Sequence, residues 1–293
     1  MYLSVIIPTF NGEDTLAQQL EALARQTSPE PFEVIVSDNG STDRTLDVVK
    51  SYIGKVPGLR VIDASAHPGR CYARNMGAEA AKAEALAFTD QDDVVGDTWV
   101  HAMGTALEKH DFVTGPTESR SLNEPWRIEN STYPEREPYV HKHPPFFAHA
   151  AANNLGIKRA LHQSIGGFDE ALVSAWEDAD YSFRLHLRGT KLYFDPEAVL
   201  HYRLRHDFGG IYRQAKAYGR GNVKFYKKYE AIAHVEEPWR ARIGAWTSLL
   251  RPRTLVGLRK KAARVVWLSR LGWRIGHLQG CIMYCVLAPS FWT

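Results

Sequence analysis

Short apolar runs alternate with helix-like segments over the first 115 residues of the chain. Residues 3–7 form a continuous β-branched apolar run, which is typical of a buried strand. Leu16, Leu20 and Leu23 then fall on one helical face. This alternation predicts an α/β fold with a mainly parallel sheet and helices on both faces. The predicted strands are 3–7, 32–36, 59–62, 85–88 and 112–114, and the predicted helices are 13–25, 43–52, 69–83 and 97–109.

The pattern changes after residue 115. Residues 116–149 are rich in Pro, Glu, Tyr and Arg and show no periodicity, so we expect a long loop or insertion there. Order resumes at about residue 150, with a helix ended by Gly166-Gly167 and another ended by Gly189. The predicted elements of this region are helices at 159–165, 176–188 and 211–229, and strands at 191–194 and 198–202.

The C-terminal tail combines a helical pattern with a one-sided charge. Residues 238–293 carry ten Lys and Arg and no acid, whereas residues 1–237 carry 26 Lys and Arg and 33 acids. Five of the eight tryptophans also lie in the tail. Such asymmetry indicates that the tail meets something acidic. One apolar helix face is predicted between about residues 255 and 286, made by Leu268, Leu271, Ile275, Leu278 and Ile282.

Two interpretations of this tail stay open. Its helix could lie on an anionic membrane surface, as basic amphipathic helices with tryptophans do. It could equally pack on the rest of the protein and leave its arginines in solvent. The apolar run at 281–288 is far shorter than the roughly 20 residues that a spanning helix needs. No recognised nucleic-acid motif accompanies the basic tail, so nucleic acid is not an expected partner.

The overall composition is that of a globular protein. Hydrophobic residues make up 44% and charged residues 24% of the chain. Cys71, Cys281 and Cys285 form no metal-ligand pattern and cannot all pair, which fits a reducing compartment. The N-terminal residues lack the basic region of a secretory signal. We therefore expect a cytoplasmic protein, peripheral on the cytoplasmic face of the membrane if its tail binds lipid.

Polar clusters follow three of the predicted strands. They are Thr9-Phe10-Asn11, Asp38-Asn39-Gly40-Ser41 and Asp90-Gln91-Asp92-Asp93. In open α/β sheets, ligands bind at the carboxyl ends of the strands. The three clusters are therefore expected on one rim, lining one crevice.

Several residues near this rim have side chains suited to chemistry. Asp90 and Asp92 offer the oxygen ligands that Mg²⁺ and Mn²⁺ prefer, although an acidic loop also serves to begin the next helix. Arg70 and Arg74 share a helix face and could bind a diphosphate, or could simply be solvated. Asp178 could act as a general base, or be an ordinary acid of a first helical turn.

These motifs, in this order, resemble glycosyltransferase family 2 and its GT-A fold, a mixed, mainly parallel sheet with helices on both faces. The resemblance covers about two thirds of the chain, from residue 4 to about residue 202. No single motif is specific, but the series is. It consists of Val5-Ile6-Ile7-Pro8-Thr9-Phe10-Asn11, Asp38-Asn39-Gly40-Ser41-Thr42-Asp43, Ala73-Arg74-Asn75-Met76-Gly77, Asp90-Gln91-Asp92-Asp93, Gly166-Gly167-Phe168-Asp169-Glu170 and Glu177-Asp178.

The resemblance implies a role for each matching residue. Asp178 looks like the catalytic base, and Asp92 like a metal ligand. His201 lies where relatives place a further metal or phosphate contact. Within the donor site, Asp38 and Asn39 would meet the base, Arg70 and Arg74 the diphosphate, and Asp90 the ribose, with Pro8, Thr9 and Asn11 bordering the nucleotide. The residues implied on the acceptor side are Asn153, Asn154, Trp176 and Glu177.

The implied activity is transfer of a sugar from a nucleotide-diphosphate sugar to an acceptor hydroxyl, with inversion and with Mn²⁺ or Mg²⁺. The acceptor would be a glycan, a lipid-linked molecule or a small molecule. The implied organisation is a Rossmann-like, nucleotide-sugar-binding half at 1–115, an acceptor-binding and catalytic-base half at 116–205, and a helical extension at 206–293. The Gln-x-x-Arg-Trp motif of processive relatives is absent from the sequence, which favours transfer of one sugar.

Two other classes of protein compete with this interpretation. A nucleotidyltransferase is expected to carry a Gly-rich basic loop after its first strand, and this chain has Pro8-Thr9-Phe10-Asn11-Gly12 there instead. A non-catalytic nucleotide- or glycan-binding protein with a retained GT-A fold is the remaining alternative. The presence of Asp92, Asp178 and His201 together disfavours it.

Overall fold

The computed structural model describes residues 2–129, 137–140, 147–172, 175–232 and 237–289. Its strands include all seven that the sequence patterns predict, together with a four-residue strand at Leu155–Lys158 and several two-residue strands that they do not predict. In chain order the strands are β1 (Leu3–Thr9), β2 (Phe32–Asp38), β3 (Arg60–Asp63), β4 (Ala85–Phe88), β5 (Val94–Val95), β6 (Phe112–Thr114), β7 (Thr117–Glu118), β8 (Tyr139–Val140), β9 (Ala148–His149), β10 (Leu155–Lys158), β11 (Tyr193–Phe194) and β12 (Leu200–His201).

One seven-stranded sheet organises the molecule, in the order β11-β6-β10-β4-β1-β2-β3. Pairings among β4, β1, β2 and β3 are parallel, as is that of β11 with β6, whereas β10 runs antiparallel to both of its neighbours. The mixed, mainly parallel sheet is therefore confirmed. β10 and β11 come from the second half of the chain and lie in the same sheet as the strands of the first half.

Helices cover both faces of this sheet, and their bounds lie within a few residues of the predictions. The helices are α1 (Leu16–Ala24), α2 (Thr45–Tyr52), α3 (Arg70–Ala80), α4 (Trp99–Lys109), α5 (Pro125–Ile128), α6 (Arg159–Ser164), α7 (Glu177–Leu187), α8 (Phe208–Tyr229), α9 (Trp239–Thr247), α10 (Pro252–Gly257) and α11 (Lys261–Tyr284), with a 3₁₀ turn at Ser248–Leu250.

Alternate side chains of the strands belong to two separate apolar cores, one on each face of the sheet. Val5 and Val34 point to one face, where they join apolar residues of α1 and α4 such as Trp99. Ile6 and Ile35 point to the other face, where α3 and α7 pack. Because successive side chains of a strand point to opposite faces, the continuous apolar run of β1 serves both cores.

The stretch 116–149 is more ordered than the expected loop in its described part. β7 pairs with β12, which pairs in turn with β5, and β8 pairs with β9. The predicted strand at 198–202 contains β12, but the sequence patterns miss β5, β7, β8 and β9 because a two-residue strand is too short to show a period. Residues 130–136 and 141–146 of this stretch lie outside the described residues.

The C-terminal extension packs on α8 through glycine and not through the predicted apolar face. A Cβ on Gly276 would overlap the carbonyl oxygen of Lys216, and one on Gly219 would overlap that of Trp273, so α8 and α11 approach closely. Leu278 and Ile282 of the predicted face are exposed instead. The contact with α8 is made by glycines because backbone contact needs small residues, and whether the predicted apolar face meets a membrane stays a prediction. Among the described helices, none is long and apolar enough to cross a membrane.

Candidate active site

A cavity of about 360 Å³ opens at the carboxyl ends of β1, β2 and β4. This is the rim that the sequence predicts, and the polar clusters do meet there. Seven of the predicted site residues line the cavity: Pro8, Thr9, Asn11, Asn39, Arg70, Asp90 and Asp92. Four lining residues have no predicted role: Phe10, Ala73, Gln91 and Arg205.

The loop after β1 is held to both neighbouring loops. Gln91 accepts a hydrogen bond from the Phe10 backbone N–H (2.8 Å) and donates one to the Phe10 carbonyl (3.1 Å). Asn11 accepts one from the backbone N–H of Thr42 at 2.9 Å. Asn11 has a positive φ of 47°, which asparagine tolerates better than most residues. The wall of the cavity beside β1 is therefore fixed before any ligand enters.

Asn39 is hydrogen-bonded to the protein backbone at the edge of the cavity. Its amide group donates to the carbonyls of Ala64 and His67, and its oxygen accepts from the Gly69 backbone N–H at 2.7 Å. The side chain therefore fastens the loop that leads into α3. Asn39 also lines the cavity, so its implied contact with the base stays a prediction. Asp38 is buried at the end of β2 and accepts from the backbone N–H of Ser41.

Three carboxylates at the end of β4 form a cluster suited to a cation. Oxygens of Asp90, Asp92 and Asp93 lie within 4.8 Å of one another. Burial raises the pKa of Asp92, with the negative charge of Asp90 adding to it, and raises the pKa of Asp93 well above its usual value. An oxygen-only set whose charges repel one another fits a hard divalent cation.

The members of the cluster differ in what holds them. Asp93 is fully enclosed, accepting from the Asn153 side chain (2.6 Å) and from the backbone N–H of Arg203 (2.9 Å). Asp92 forms an ion pair with Arg205 at 3.1 Å. Asp90 and Asp92 border the cavity and are the two acids positioned to reach a metal or nucleotide.

Arg74 connects the acidic cluster to α7 through the interior of the protein. Its side chain is 1% exposed and forms ion pairs with Asp90 (2.7 Å) and Glu177 (3.3 Å). Arg70 pairs with the same Glu177 oxygen at 2.7 Å. Two acids and two bases thus form a continuous set, which we call the charge quartet: Asp90, Arg74, Glu177 and Arg70.

The charge quartet corrects two of the implied roles. Arg74 is too deeply buried to meet a diphosphate, and the oxygens of Glu177 are used by arginines and not offered to an acceptor. Arg70 keeps its predicted position, since it lines the cavity. Burial raises the pKa of Glu177, and the two arginine charges oppose that rise.

Asp178 follows Glu177 directly, at the start of α7. It is half-buried, and its Oδ1 accepts from the backbone N–H of Ala179 at 2.8 Å. Burial raises its pKa above the usual aspartate value, which makes it a stronger base once ionised. Trp176 precedes them with a positive φ of 70°, and its indole N–H donates to the Tyr218 carbonyl at 3.0 Å. That strained turn sets the direction in which α7 begins.

The other implied acceptor and metal residues have structural partners. Asn154 is fully buried, accepts from the Trp99 indole N–H at 2.8 Å and donates to two carbonyls, so its implied contact with the acceptor is corrected. Asn153 is 7% exposed and holds Asp93. His201 bonds Glu118 through Nδ1 at 2.7 Å and is not part of the described carboxylate cluster, so its metal role stays a prediction.

Arg205 is the main site residue that the sequence analysis misses. It follows β12 by four positions, in the run Arg203-Leu204-Arg205. Arg203 binds the acidic loop from behind, donating to the Asp92 carbonyl at 2.8 Å, while Arg205 faces the cavity. The sequence signal that could have identified Arg205 is the pair Arg203 and Arg205, the second and fourth residues after β12.

An open α/β sheet with acids and arginines at the carboxyl ends of its strands defines a ligand-binding protein of the doubly wound class. Residues 4–171 match the family described as Glycosyl transferase family 2, and residues 90–293 match Glycosyl transferase family group 2. The chain belongs to glycosyltransferase family 2, as the motif series predicts.

Curated relatives are longer than this chain. Validoxylamine A glucosyltransferase from Streptomyces hygroscopicus subsp. limoneus is 33% identical over 221 residues, which cover 64% of this chain and 48% of the relative. Chondroitin synthase from Pasteurella multocida is 28% identical over 223 residues, which cover 64% of this chain and 23% of that protein. The chain therefore spans about half or less of the length of these two relatives.

Solved structures share the fold. Mannosyltransferase PcManGT from Pyrobaculum calidifontis, in complex with GDP-Man and Mn²⁺, has a TM-score of 0.66 at 19% identity, over 95% of this chain and 86% of that one. S. aureus TarS 1–349 in complex with UDP has a TM-score of 0.56 at 19% identity, over 95% and 91% of the two chains. The GT-A fold is thereby confirmed. The catalytic and binding roles of individual residues stay predictions.

Proposed function

We propose that this protein transfers a sugar from a nucleotide-diphosphate sugar to an acceptor hydroxyl. The observation that carries the proposal is the charge quartet, which joins Asp90 on the cavity rim to Glu177, the neighbour of Asp178. One set of ion pairs thus joins an acid of the cavity rim to the residue that precedes the candidate base. Family membership supports the same reaction class.

The reaction we infer is a single displacement with inversion. The acceptor oxygen forms a bond to the anomeric carbon as the bond from that carbon to the diphosphate oxygen breaks. The hydroxyl proton passes to the Asp178 carboxylate, a contribution of typically about 10²- to 10⁴-fold in rate. Arg70 and Arg205 are the cavity-lining cations suited to offset charge on the departing diphosphate.

A divalent cation completes the proposed donor site. Asp92 and Asp90 would hold it, with Asp93 buried behind them, and it would supply positive charge beside the diphosphate. Mn²⁺ is present in the PcManGT complex, and both Mn²⁺ and Mg²⁺ accept carboxylate ligands. Arg205 forms an ion pair with Asp92, so we expect a bound cation to displace that contact or to share the carboxylate.

Relatives guide the choice of substrates to test. Validoxylamine A glucosyltransferase is named for a glucosyl group, TarS was solved with UDP and UDP-GlcNAc, and PcManGT with GDP-Man. UDP- and GDP-hexoses are therefore the proposed donors. Glycans, lipid-linked molecules and small molecules are the proposed acceptors. A cytoplasmic location and a peripheral position on the membrane stay predictions.

The decisive experiment measures nucleotide release from a panel of UDP- and GDP-sugars, with Mn²⁺, with Mg²⁺ or with EDTA. We expect release with at least one donor, lost in EDTA and in Asp92→Asn. A bound nucleotide at about 100 times its Kd should also add roughly 2.7 kcal/mol of stability in a thermal-shift assay.

Asp97→Asn is the matched control, because Asp97 is an exposed acid just beyond the same loop. It should behave as wild type. Nucleotide binding without release of sugar from any donor would point to the non-catalytic alternative. Equal activity of wild type and Asp92→Asn in saturating metal would remove the acidic cluster from the reaction.

A further inference from the structure

Exposed apolar side chains concentrate in the C-terminal extension. Of the eighteen exposed large hydrophobic residues in the described part of the chain, ten lie between residues 239 and 287. Soluble proteins rarely gather so many in one region without a partner for them. The most exposed are Leu287 at 79%, Leu250 and Ile282 at 70%, and Trp239 and Val256 at 65%.

The packing of α11 explains why these residues face outward. Its glycines take the face toward α8, where only backbone-to-backbone contact fits. Leu278 and Ile282, one turn apart, are left on the outside. In α9, Trp239, Ile243 and Trp246 share another exposed face by their spacing. Arg242 donates to the Leu287 carbonyl at 3.3 Å, which places α9 beside the end of α11.

Positive charge accompanies this apolar surface. Five cations between residues 251 and 261 are all exposed, and they alternate with exposed Leu250, Leu255 and Val256. No residue of α9 or α10 is buried. Because residues 238–293 contain no acid, these cations have no counter-charge within their own segment. The five are Arg251, Arg253, Arg259, Lys260 and Lys261.

A short chain of contacts joins this region to the cavity. The Lys261 ammonium lies 5.4 Å from the Trp126 ring centroid, and that ring lies 6.2 Å from the ring of Phe208. Phe208 begins α8, three residues after the cavity-lining Arg205. The basic start of α11 therefore sits a few side chains from the site rim.

We propose that the C-terminal surface, meaning the exposed apolar and basic side chains of residues 238–289, docks on an anionic lipid membrane. Apolar side chains enter the interface while Lys and Arg contact anionic headgroups, as on other membrane-surface helices. A second copy of the chain fits less well, because pairing two such surfaces would bring like charges together. The structure shows nothing that covers this surface from within the chain's described residues.

One consequence rests on the proposed function. With the rim held beside the bilayer, the acceptor is of the lipid-linked class, presented to the cavity from the membrane. Docking itself does not depend on catalysis. It can therefore be tested separately from sugar transfer.

The test is cosedimentation of the full-length protein with sucrose-loaded vesicles of phosphatidylcholine alone or of phosphatidylcholine and phosphatidylglycerol in equal parts. We expect binding to the mixed vesicles, weakened by 0.5 M salt. Two variants carry the test, Arg251→Gln with Arg253→Gln, and Leu250→Ser with Val256→Ser. Each should lower the partition coefficient on the order of tenfold, because each removes contacts with the interface.

Matched controls come from elsewhere on the surface. Lys82→Gln with Lys109→Gln removes two exposed cations, and Leu187→Ser removes an exposed leucine. Both should bind vesicles as wild type does. Unchanged binding in the two test variants, or equal loss in the controls, overturns the proposal. The proposal is also overturned if wild type does not bind vesicles but forms a dimer, measured by light scattering, that the two test variants do not form.

Loss of docking and loss of activity can be told apart. Variants of the C-terminal surface should keep the thermal midpoint and donor hydrolysis of wild type. Asp92→Asn should keep vesicle binding and lose hydrolysis. Transfer to a lipid-linked acceptor in mixed vesicles should fall in the surface variants, whereas transfer to the same acceptor in detergent should not.

Discussion

Glu177 illustrates how one side chain is shared between structure and site. It accepts from Arg70 and Arg74 while Arg74 also binds Asp90, so the two acids and two bases balance in charge. A buried ion pair adds little to stability compared with an apolar pair, but removing one partner leaves the other charge without compensation. The charge quartet therefore fixes relative positions and tolerates little change.

We expect Glu177→Gln to lower the free energy of unfolding by about 3 kcal/mol, because Arg74 would keep a buried charge with only Asp90 to balance it. Sugar transfer should fall as well, since the direction of the neighbouring Asp178 depends on this contact. Urea denaturation and initial rates measure the two effects.

Glu79→Gln is the control for that variant. Glu79 is an exposed acid on α3, the helix that carries both arginines, and its replacement should change stability by less than about 0.5 kcal/mol. Equal stability of the two variants would mean that the charge quartet does not hold α7 in place.

Single residues also mark the limit of the sequence analysis. The motif series includes seven residues that line the cavity, because six of them follow strands that the apolar pattern reveals and Arg70 begins a predicted helix. It cannot show which partner a side chain has. Asn39 hydrogen-bonds to the backbone, and Asn154 accepts a hydrogen bond from Trp99. Arg74 forms ion pairs with acids that are distant in sequence. Those contacts exist only after folding.

At the scale of elements, the close contact of α8 and α11 is set by small residues. Gly219 and Gly276 each lie against a carbonyl group of the opposite helix. The spacing of Leu268 to Ile282 marks an apolar face correctly but cannot say whether that face packs inward. Long strands and helices could be predicted because their periods repeat, whereas β5 and β7 are too short to show one.

Gly276→Ala should destabilise the protein by about 1–3 kcal/mol, because the added methyl group overlaps the Lys216 carbonyl and forces the helices apart. Gly244→Ala in α9 is the matched control. Nothing lies near a Cβ there, so the substitution should be neutral or stabilise by roughly 0.5–1 kcal/mol. Thermal unfolding of both variants gives the comparison, and similar melting curves would mean that α11 does not pack on α8 in this way.

At the scale of the whole molecule, the sheet unites the two predicted halves. β10, from the second half, lies between β4 and β6 of the first and runs against both. The predicted boundary at residue 115 is therefore not a boundary of the sheet, which crosses it. The cavity also combines residues of both halves, since it is lined by Arg205 from the second half and by Asp90 and Asp92 from the first.

A fragment of residues 1–115 should not melt cooperatively, because it lacks the strand between β4 and β6 and would expose Phe88 and Phe112. A fragment of residues 1–232 keeps all seven strands and should melt cooperatively. Circular dichroism during heating measures both, with the full chain as reference. A sharp transition in the shorter fragment would show that the first half folds alone.

The charge quartet also bears on how this protein can evolve. A single substitution that removes the charge of Arg74 or Glu177 leaves the charge of the other residue buried without this partner. Descendant sequences are therefore expected to retain these two positions together or to replace them together, with Asp90 and Arg70 following. Exposed loop positions can drift one at a time. We therefore expect the four positions of the charge quartet to covary in an alignment of related sequences.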